Sequence, residues 1–237
     1  MGGAYPLRQC AVMDKEEQKH MDRVEEARRT LLALYGGSHS PLEESDPDFA
    51  AIKQRLVYGE LYAQEALDPV MRELILLAVA TTNQTMSEVK LHTCAALRSG
   101  ASPEAVKEAV YHCAPYIGLG KAEAAAAAVN EVLRTQGISL PLASQRTVSE
   151  EDRLTAGIAA QKSIFGPHID EMRAAAPNDK KPLQDYLSAY CFGDFYTRSG
   201  LDIRQRELLT FSILSAQGGC ENQIKAHAGG NAAVGND

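Results

Sequence analysis

The stretch TTNQTMSEVKLHTCAALRSGAS, residues 81 to 102, sets Glu88 four positions before His92. On a helix that spacing puts both side chains on one face, within reach of a single small molecule. A carboxylate and an imidazole so placed can exchange protons with a substrate near neutral pH. A third group comes from the preceding segment, PVMRELILLAVATT, which is apolar on most faces yet holds Glu73. A carboxylate there needs a polar partner, because an unpaired buried charge costs several kcal/mol. A short turn lays the two helices antiparallel and brings Glu73 beside His92. The roles that follow are His92 as proton donor, Glu73 as its buried partner, and Glu88 as the group that positions water or substrate. The competing reading is a solvated Ex3H salt bridge.

A second occurrence weighs against that competitor. Tyr58-Gly59-Glu60-Leu61-Tyr62 corresponds to Phe192-Gly193-Asp194-Phe195-Tyr196, Leu67-Asp68 to Leu201-Asp202, and Arg72-Glu73-Leu74 to Arg206-Glu207-Leu208, all at an offset of 134. One inserted residue near Gly218-Gly219 moves the offset to 135, where Lys90 and His92 meet Lys225 and His227. Glu207 and His227 thus repeat the first pair, with Gln223 in the place of Glu88 and Cys220 in the place of Thr85. Duplication can copy a structural pair as readily as a reactive one, but it makes an internal repeat the main organisational fact.

The elements that position these residues read as helices throughout. Asp14 and Glu17 form a capping box for a helix running to Gly36-Gly37. DFAAIKQRLVYGELYAQEA continues in helical pattern, Asp68-Pro69 opens the helix of Glu73, Gly100 closes that of His92, and Ser102-Pro103-Glu104 opens another. KAEAAAAAVNEVLRTQ ends at Gly137, its alanines favouring helix and close packing. ISLPLASQRTVS breaks the pattern before a further start at Ser149 and Asp152. No segment sustains strand alternation. The organisation expected is an arm over 1–47, a first repeat over 48–140, a linker and helix over 141–181, and a second repeat over 182–237. In this register Asp237 falls opposite Ser102, the cap of a helix that the second repeat lacks, so the natural protein is expected to continue beyond it.

Composition narrows the function classes. An apolar fraction of 45% in 237 residues supports a real core, and a net charge of −7 with no basic run argues against nucleic acid. Five scattered cysteines without a CxxC pair fit reduced thiols and a cytoplasmic location. No stretch reads as a signal peptide or a membrane span.

RELILLAVATTNQTMSEVKLHTCAALRSGASPEAVKEAVYHCAPYIG in the first half and RELLTFSILSAQGGCENQIKAH in the second resemble the carboxymuconolactone decarboxylase family, over roughly residues 48–137 and 182–237. The other well-known branch of that family is the AhpD-like alkylhydroperoxidases. The resemblance implies an all-α fold of tandem AhpD-like helical repeats, assembled as a homo-oligomer, a trimer or a hexamer. It also implies a cofactor-free decarboxylase or lyase acting on a small anionic carboxylated lactone. The peroxidase branch carries CxxCxxxH preceded by a glutamate. Glu73 and His92 match its ends, but Thr85 and Glu88 stand at the cysteine positions; the second repeat keeps Cys220 and has Gln223 for the other thiol. A lone cysteine needs an outside reductant to complete a peroxidase cycle. Gly120 is a further departure, where decarboxylase-like sequences usually have Pro.

Catalytic candidates are therefore Glu73, Glu88, His92, Glu207, Cys220 and His227. Arg72 and Arg206 are candidates for binding a substrate carboxylate, or else ion-pair partners of the neighbouring glutamates. Tyr116, with Tyr58 and Tyr62, can line a pocket or simply fill the core. Cys94 faces away from His92 and reads as a small hydrophobe, and Cys113, Cys191, His20, His39, His112 and His168 have no convergent partners in sequence. A metal on Glu73, Glu88 and His92 is chemically conceivable, but no cofactor or metal is implied. Thiol-dependent peroxide reduction at Cys220 and a non-catalytic oligomeric scaffold are the alternatives.

Overall fold

The computed structural model describes residues 22–37, 40–64 and 66–236. Regular structure among these residues is helical throughout, the all-α class that the sequence pattern requires. The chain divides into two compact units between Leu67 and Asp68. No described helix is long and apolar enough to cross a membrane.

In the first unit, α1 (Arg23–Tyr35) is opened by Asp22, whose carboxylate accepts the Val24 N–H at 3.0 Å. The Asp14 and Glu17 start expected for this helix lies outside the described residues, as do Cys10, His20 and His39. α2 (Pro47–Gln54) runs directly into a π-helix over Arg55–Leu61. Ala27 and Leu31 of α1 and Tyr58 of the π-helix form a small core, with Tyr35 set edge-on to Tyr58 at 5.8 Å. Gly59 allows the approach: a Cβ there would stand 2.1 Å from the Arg23 carbonyl oxygen.

The second unit holds α3 (Pro69–Thr82), α4 (Met86–Arg98), α5 (Pro103–Ile117) and α6 (Leu119–Thr135). It continues through α7 (Arg153–Phe165), α8 (His168–Ala175) and α9 (Lys181–Tyr186) into a second π-helix, Leu187–Tyr196, and then α10 (Ile203–Gln217) and α11 (Glu221–Ala233). Asp68 caps α3 by accepting the Met71 N–H at 3.0 Å, and Ser102 caps α5 by accepting that of Ala105 at 3.1 Å. Leu74, Leu77, Val89, Val110 and Leu133 are fully buried in the main core, where they are joined by Leu209 and Ile213 of α10. A helix of the second repeat thus completes the core of the first. Ala122, Ala125 and Ala128 are buried on α6, as close packing of its small residues demands.

The duplicated packing reaches further than the matching sequence. α7 packs on the Leu187–Tyr196 π-helix much as α1 packs on Arg55–Leu61. A Cβ on Gly193 would stand 2.2 Å from the Arg153 carbonyl oxygen, the counterpart of Gly59 against Arg23. Arg153 pairs with Asp194 at 2.8 Å, as Arg23 pairs with Glu60 at 2.6 Å. Arg23 and Arg153 lie 130 residues apart, not 134, so the offset of the later segments does not reveal them.

One buried charged cluster ties α5 to α10. Arg206 is fully buried; its Nη2 donates to Glu108 Oε2 at 3.1 Å and to the carbonyls of Arg198 and Ser199 at 2.9 and 3.2 Å. Arg198 Nε donates to both Glu108 oxygens, at 2.9 and 3.0 Å. His112 lies against this cluster, with Nε2 3.1 Å from the Arg206 carbonyl and 2.9 Å from the Thr210 hydroxyl, and Nδ1 3.4 Å from Arg206 Nη1. A carbonyl can only accept, so Nε2 carries the proton and the bare Nδ1 faces the guanidinium.

Burial first, and the Arg206 charge second, hold His112 well below the ordinary histidine value of 6.5. The unfolded chain takes up this proton near pH 6.5, whereas the folded one does so only at lower pH. The stability concerned is therefore complete above pH 6.5 and is lost as the pH falls below it, by up to about 1.4 kcal/mol per pH unit. Denaturant titrations from about pH 7.5 to about pH 5.5 should show this decline. His112→Gln should be less stable at the upper end and should decline more gently, since it lacks the group whose protonation is resisted by the fold. Parallel slopes would show that the folded protein accommodates a charged His112.

Candidate active site

The turn from α3 to α4 is short because Gln84 adopts a left-handed backbone, φ 59°, uncommon for a residue with a side chain. Its amide donates to the Thr81 carbonyl at 2.6 Å, and the Thr85 hydroxyl donates to the Ala80 carbonyl at 3.3 Å. The same two carbonyls also accept turn N–H groups, Gln84 on Thr81 at 3.2 Å and Thr85 on Ala80 at 3.0 Å, so both carbonyls at the end of α3 are satisfied. The antiparallel return brings His92 of α4 onto Glu73 of α3, with Nδ1 2.9 Å from Glu73 Oε2. Glu73 is 1% exposed and His92 7% exposed, so the pair lies just beneath the surface with its carboxylate inward.

This arrangement assigns the atoms. An ionised carboxylate only accepts, so Nδ1–H of His92 donates to Glu73 and Nε2 faces outward. Glu88, one turn earlier on α4, places Oε2 3.7 Å from Nε2, within ion-pair range and beyond a direct hydrogen bond. The three residues that the sequence groups together do converge, with Nε2 as the atom open to a reacting partner. They can hold and move one proton there.

The second repeat builds the same pair between α10 and α11: His227 Nδ1 lies 2.9 Å from Glu207 Oε2, and Glu207 is completely buried. Its surroundings differ. Tyr196 donates to Glu207 Oε1 at 2.6 Å, and its phenol oxygen lies 2.8 Å from Thr210 Oγ1. The Tyr116 hydroxyl lies 2.9 Å from the same threonine and 3.2 Å from Tyr196. The Asn231 amide donates to the Glu207 carbonyl at 3.0 Å, and Phe165 stands edge-on to the His227 ring at 5.3 Å. His112, which shows no convergent partner in sequence, meets Arg206 and Thr210 in the fold, and Tyr196 and Thr210 are residues that sequence reasoning does not select. A signal did exist for Tyr196, which matches Tyr62 at the repeat offset.

Other candidates have definite places. Arg206 is buried against Glu108, not Glu207, which leaves its guanidinium no access to a ligand in this conformation. Arg72 is half-buried on α3. Burial, with smaller contributions from Cys191 and Tyr196, raises the Tyr116 phenol well above its usual value, so it stays a protonated hydroxyl inside the network. Tyr58 belongs to the core of the first unit.

Each described cysteine is a free thiol. Burial pushes the Cys94 and Cys113 thiols up, and it pushes Cys191 up to about 12. Cys220 is half-buried at the start of α11, and its side chain does not cap that helix. No group of three or more His, Cys, Asp or Glu residues arranged to hold a metal occurs among the described residues. Cavities of about 160 and 220 Å³ open beside Glu108 with Arg198 and beside Arg146 with Asp194, and neither is lined by His92 or His227.

Two comparisons bear on this geometry. A model of the carboxymuconolactone decarboxylase family matches residues 47–131 and 181–237, more than half of the chain. The 4-carboxymuconolactone decarboxylase of Acinetobacter baylyi is 29% identical over 98 residues, covering 41% of this chain and 73% of that protein. With one cysteine at the two thiol positions of the peroxidase motif in the second repeat and none at them in the first, dithiol-driven peroxide reduction should be slow and should vanish in Cys220→Ser. A coupled peroxide assay showing rapid turnover in that variant would place the redox chemistry elsewhere.

Proposed function

We propose that this chain, which belongs to the carboxymuconolactone decarboxylase family, removes carbon dioxide from a small, anionic, carboxylated unsaturated lactone by acid–base chemistry. The observation that carries the reading is the buried Glu73–His92 pair, closed at 2.9 Å, with Nε2 turned toward Glu88. The name of the Acinetobacter relative supports the substrate class. Cleavage of the bond to the carboxylate releases carbon dioxide and leaves its electron pair in the conjugated ring as an extended enolate. The enzyme must then protonate carbon. His92 delivers that proton from Nε2, Glu73 holds the ring and offsets the imidazolium charge, and Glu88 positions water or a substrate oxygen at the same nitrogen. The neutral imidazole regains its proton from solvent. This sequence needs no metal or organic cofactor.

The same reading makes the protein a cytoplasmic homo-oligomer, a trimer or a hexamer. Phe49, Ile52 and Leu56 are exposed in the first unit, and at the repeat offset of 134 Leu183 and Tyr186 are exposed in the second, with Tyr190 half-buried. Large apolar side chains kept at matched surface positions support a face covered by another subunit. Light scattering at micromolar concentration should therefore report a multiple of the 25.6 kDa chain, and a monodisperse monomer would contradict this.

The catalytic reading is tested with 4-carboxymuconolactone itself, by following loss of lactone and release of carbon dioxide. His92→Ala and Glu73→Gln should each lower turnover by roughly a hundredfold or more, the scale of lost general acid catalysis. Far-ultraviolet circular dichroism should stay unchanged. Full activity in both variants would make the pair structural.

A further inference from the structure

The second pair is anchored by a directed set of hydroxyl groups. Glu207 receives His227 on Oε2 at 2.9 Å and Tyr196 on Oε1 at 2.6 Å, so both carboxylate oxygens are engaged inside the protein. Tyr196 has one proton and spends it on Glu207; its oxygen must then accept from Thr210 at 2.8 Å or from Tyr116 at 3.2 Å. If Thr210 donates to Tyr196, Tyr116 donates to Thr210. If Thr210 donates to Tyr116 instead, Tyr116 donates to Tyr196, and His112 Nε2–H supplies Thr210 at 2.9 Å. Either way the last bond runs from Tyr196 to Glu207. Burial, and next the Glu207 charge, raise the Tyr196 phenol well above its usual value, which keeps it a donor.

The consequence falls on His227. Its ring is held by one bond, from Nδ1 to Glu207 Oε2, and is walled by Phe165 and Tyr116. That bond decides which nitrogen carries the proton, and its geometry is only as fixed as the carboxylate. Gly230 leaves room for Glu207 Oε2, since a Cβ there would stand 2.5 Å from it, and the Tyr196 hydroxyl holds the Oε1 side. Gly230 gives space and the phenol gives direction.

We propose that Tyr196 is a positioning residue of the second repeat: acting through Glu207, it fixes His227 in the Nδ1–H form and turns Nε2 outward as the proton-transferring atom. This deepens the acid–base reading of the pairs and does not depend on knowing the substrate. The test is selective 15N labelling of the six histidines, with long-range proton–nitrogen correlation to identify the protonated nitrogen of each, His227→Gln and His92→Gln serving for assignment.

In the unaltered protein, neutral His227 should carry its proton on Nδ1. In Tyr196→Phe the share protonated on Nε2 should rise roughly tenfold, the scale of one lost bond to a charged acceptor, while the His92 signals stay in place. A His227 that keeps the Nδ1–H form in Tyr196→Phe overturns the proposal. Should that variant not fold, the unaltered protein is read in its place, where a neutral His227 protonated on Nε2 overturns the proposal. Lactone turnover separates the two readings: a tautomer shift without turnover sustains the positioning role and removes the decarboxylase, whereas turnover without a shift does the reverse.

Discussion

A carboxylate inside an apolar helix must be met, and much of the second unit can be read as the means of meeting two of them. Glu73 sits in α3 and Glu207 in α10, both fully buried or nearly so. Each receives an imidazole from the next helix at 2.9 Å. That requirement sets the antiparallel return, the length of the turn and the register of α4 on α3 and of α11 on α10. It also fixes the tautomer, since the nitrogen facing the carboxylate must donate and the other is left for work at the surface.

The two pairs share a geometry and differ in what lies behind it. The first presents Glu88 to its open nitrogen. The second has Gln223 at that position and rests on Tyr196, Thr210 and Tyr116, with His112 and the Arg206–Glu108 pair beyond. Position 76, the repeat counterpart of Thr210, is leucine, so the first repeat has no hydroxyl at the position where Thr210 links Tyr116 to Tyr196. Removing Glu108 is the costly change, about 3–5 kcal/mol, because it leaves the buried Arg206 without a carboxylate, whereas a lost Arg206 leaves Glu108 with Arg198.

Much of this was legible in the chain. Helix starts at Asp68 and Ser102 announce themselves through capping chemistry, and Glu73 betrays its partner because no apolar helix tolerates it alone. The repeat points to Glu207 and His227 directly. What stayed hidden is set by tertiary approach and not by local pattern. The π-helices have no periodic signature, the kinship of α1 and α7 lies at a different offset from the rest, and Arg206 leaves the glutamate beside it for Glu108, 98 residues away. Tyr196 stands out in the sequence only as the repeat counterpart of Tyr62, and the folded chain alone brings its hydroxyl onto Glu207.

Leu209 and Ile213 belong to the second repeat by sequence and to the first by packing. The ancestral halves have therefore lost their independence. A change of volume at Leu209 is felt where Leu74 and Leu77 sit, and so in the helix that carries Glu73. Selection on either half acts on both, and recombination that exchanged one repeat for a homologous copy would have to bring a compatible α10 with it. The duplication supplied two Glu–His pairs, and the shared core bound their histories together.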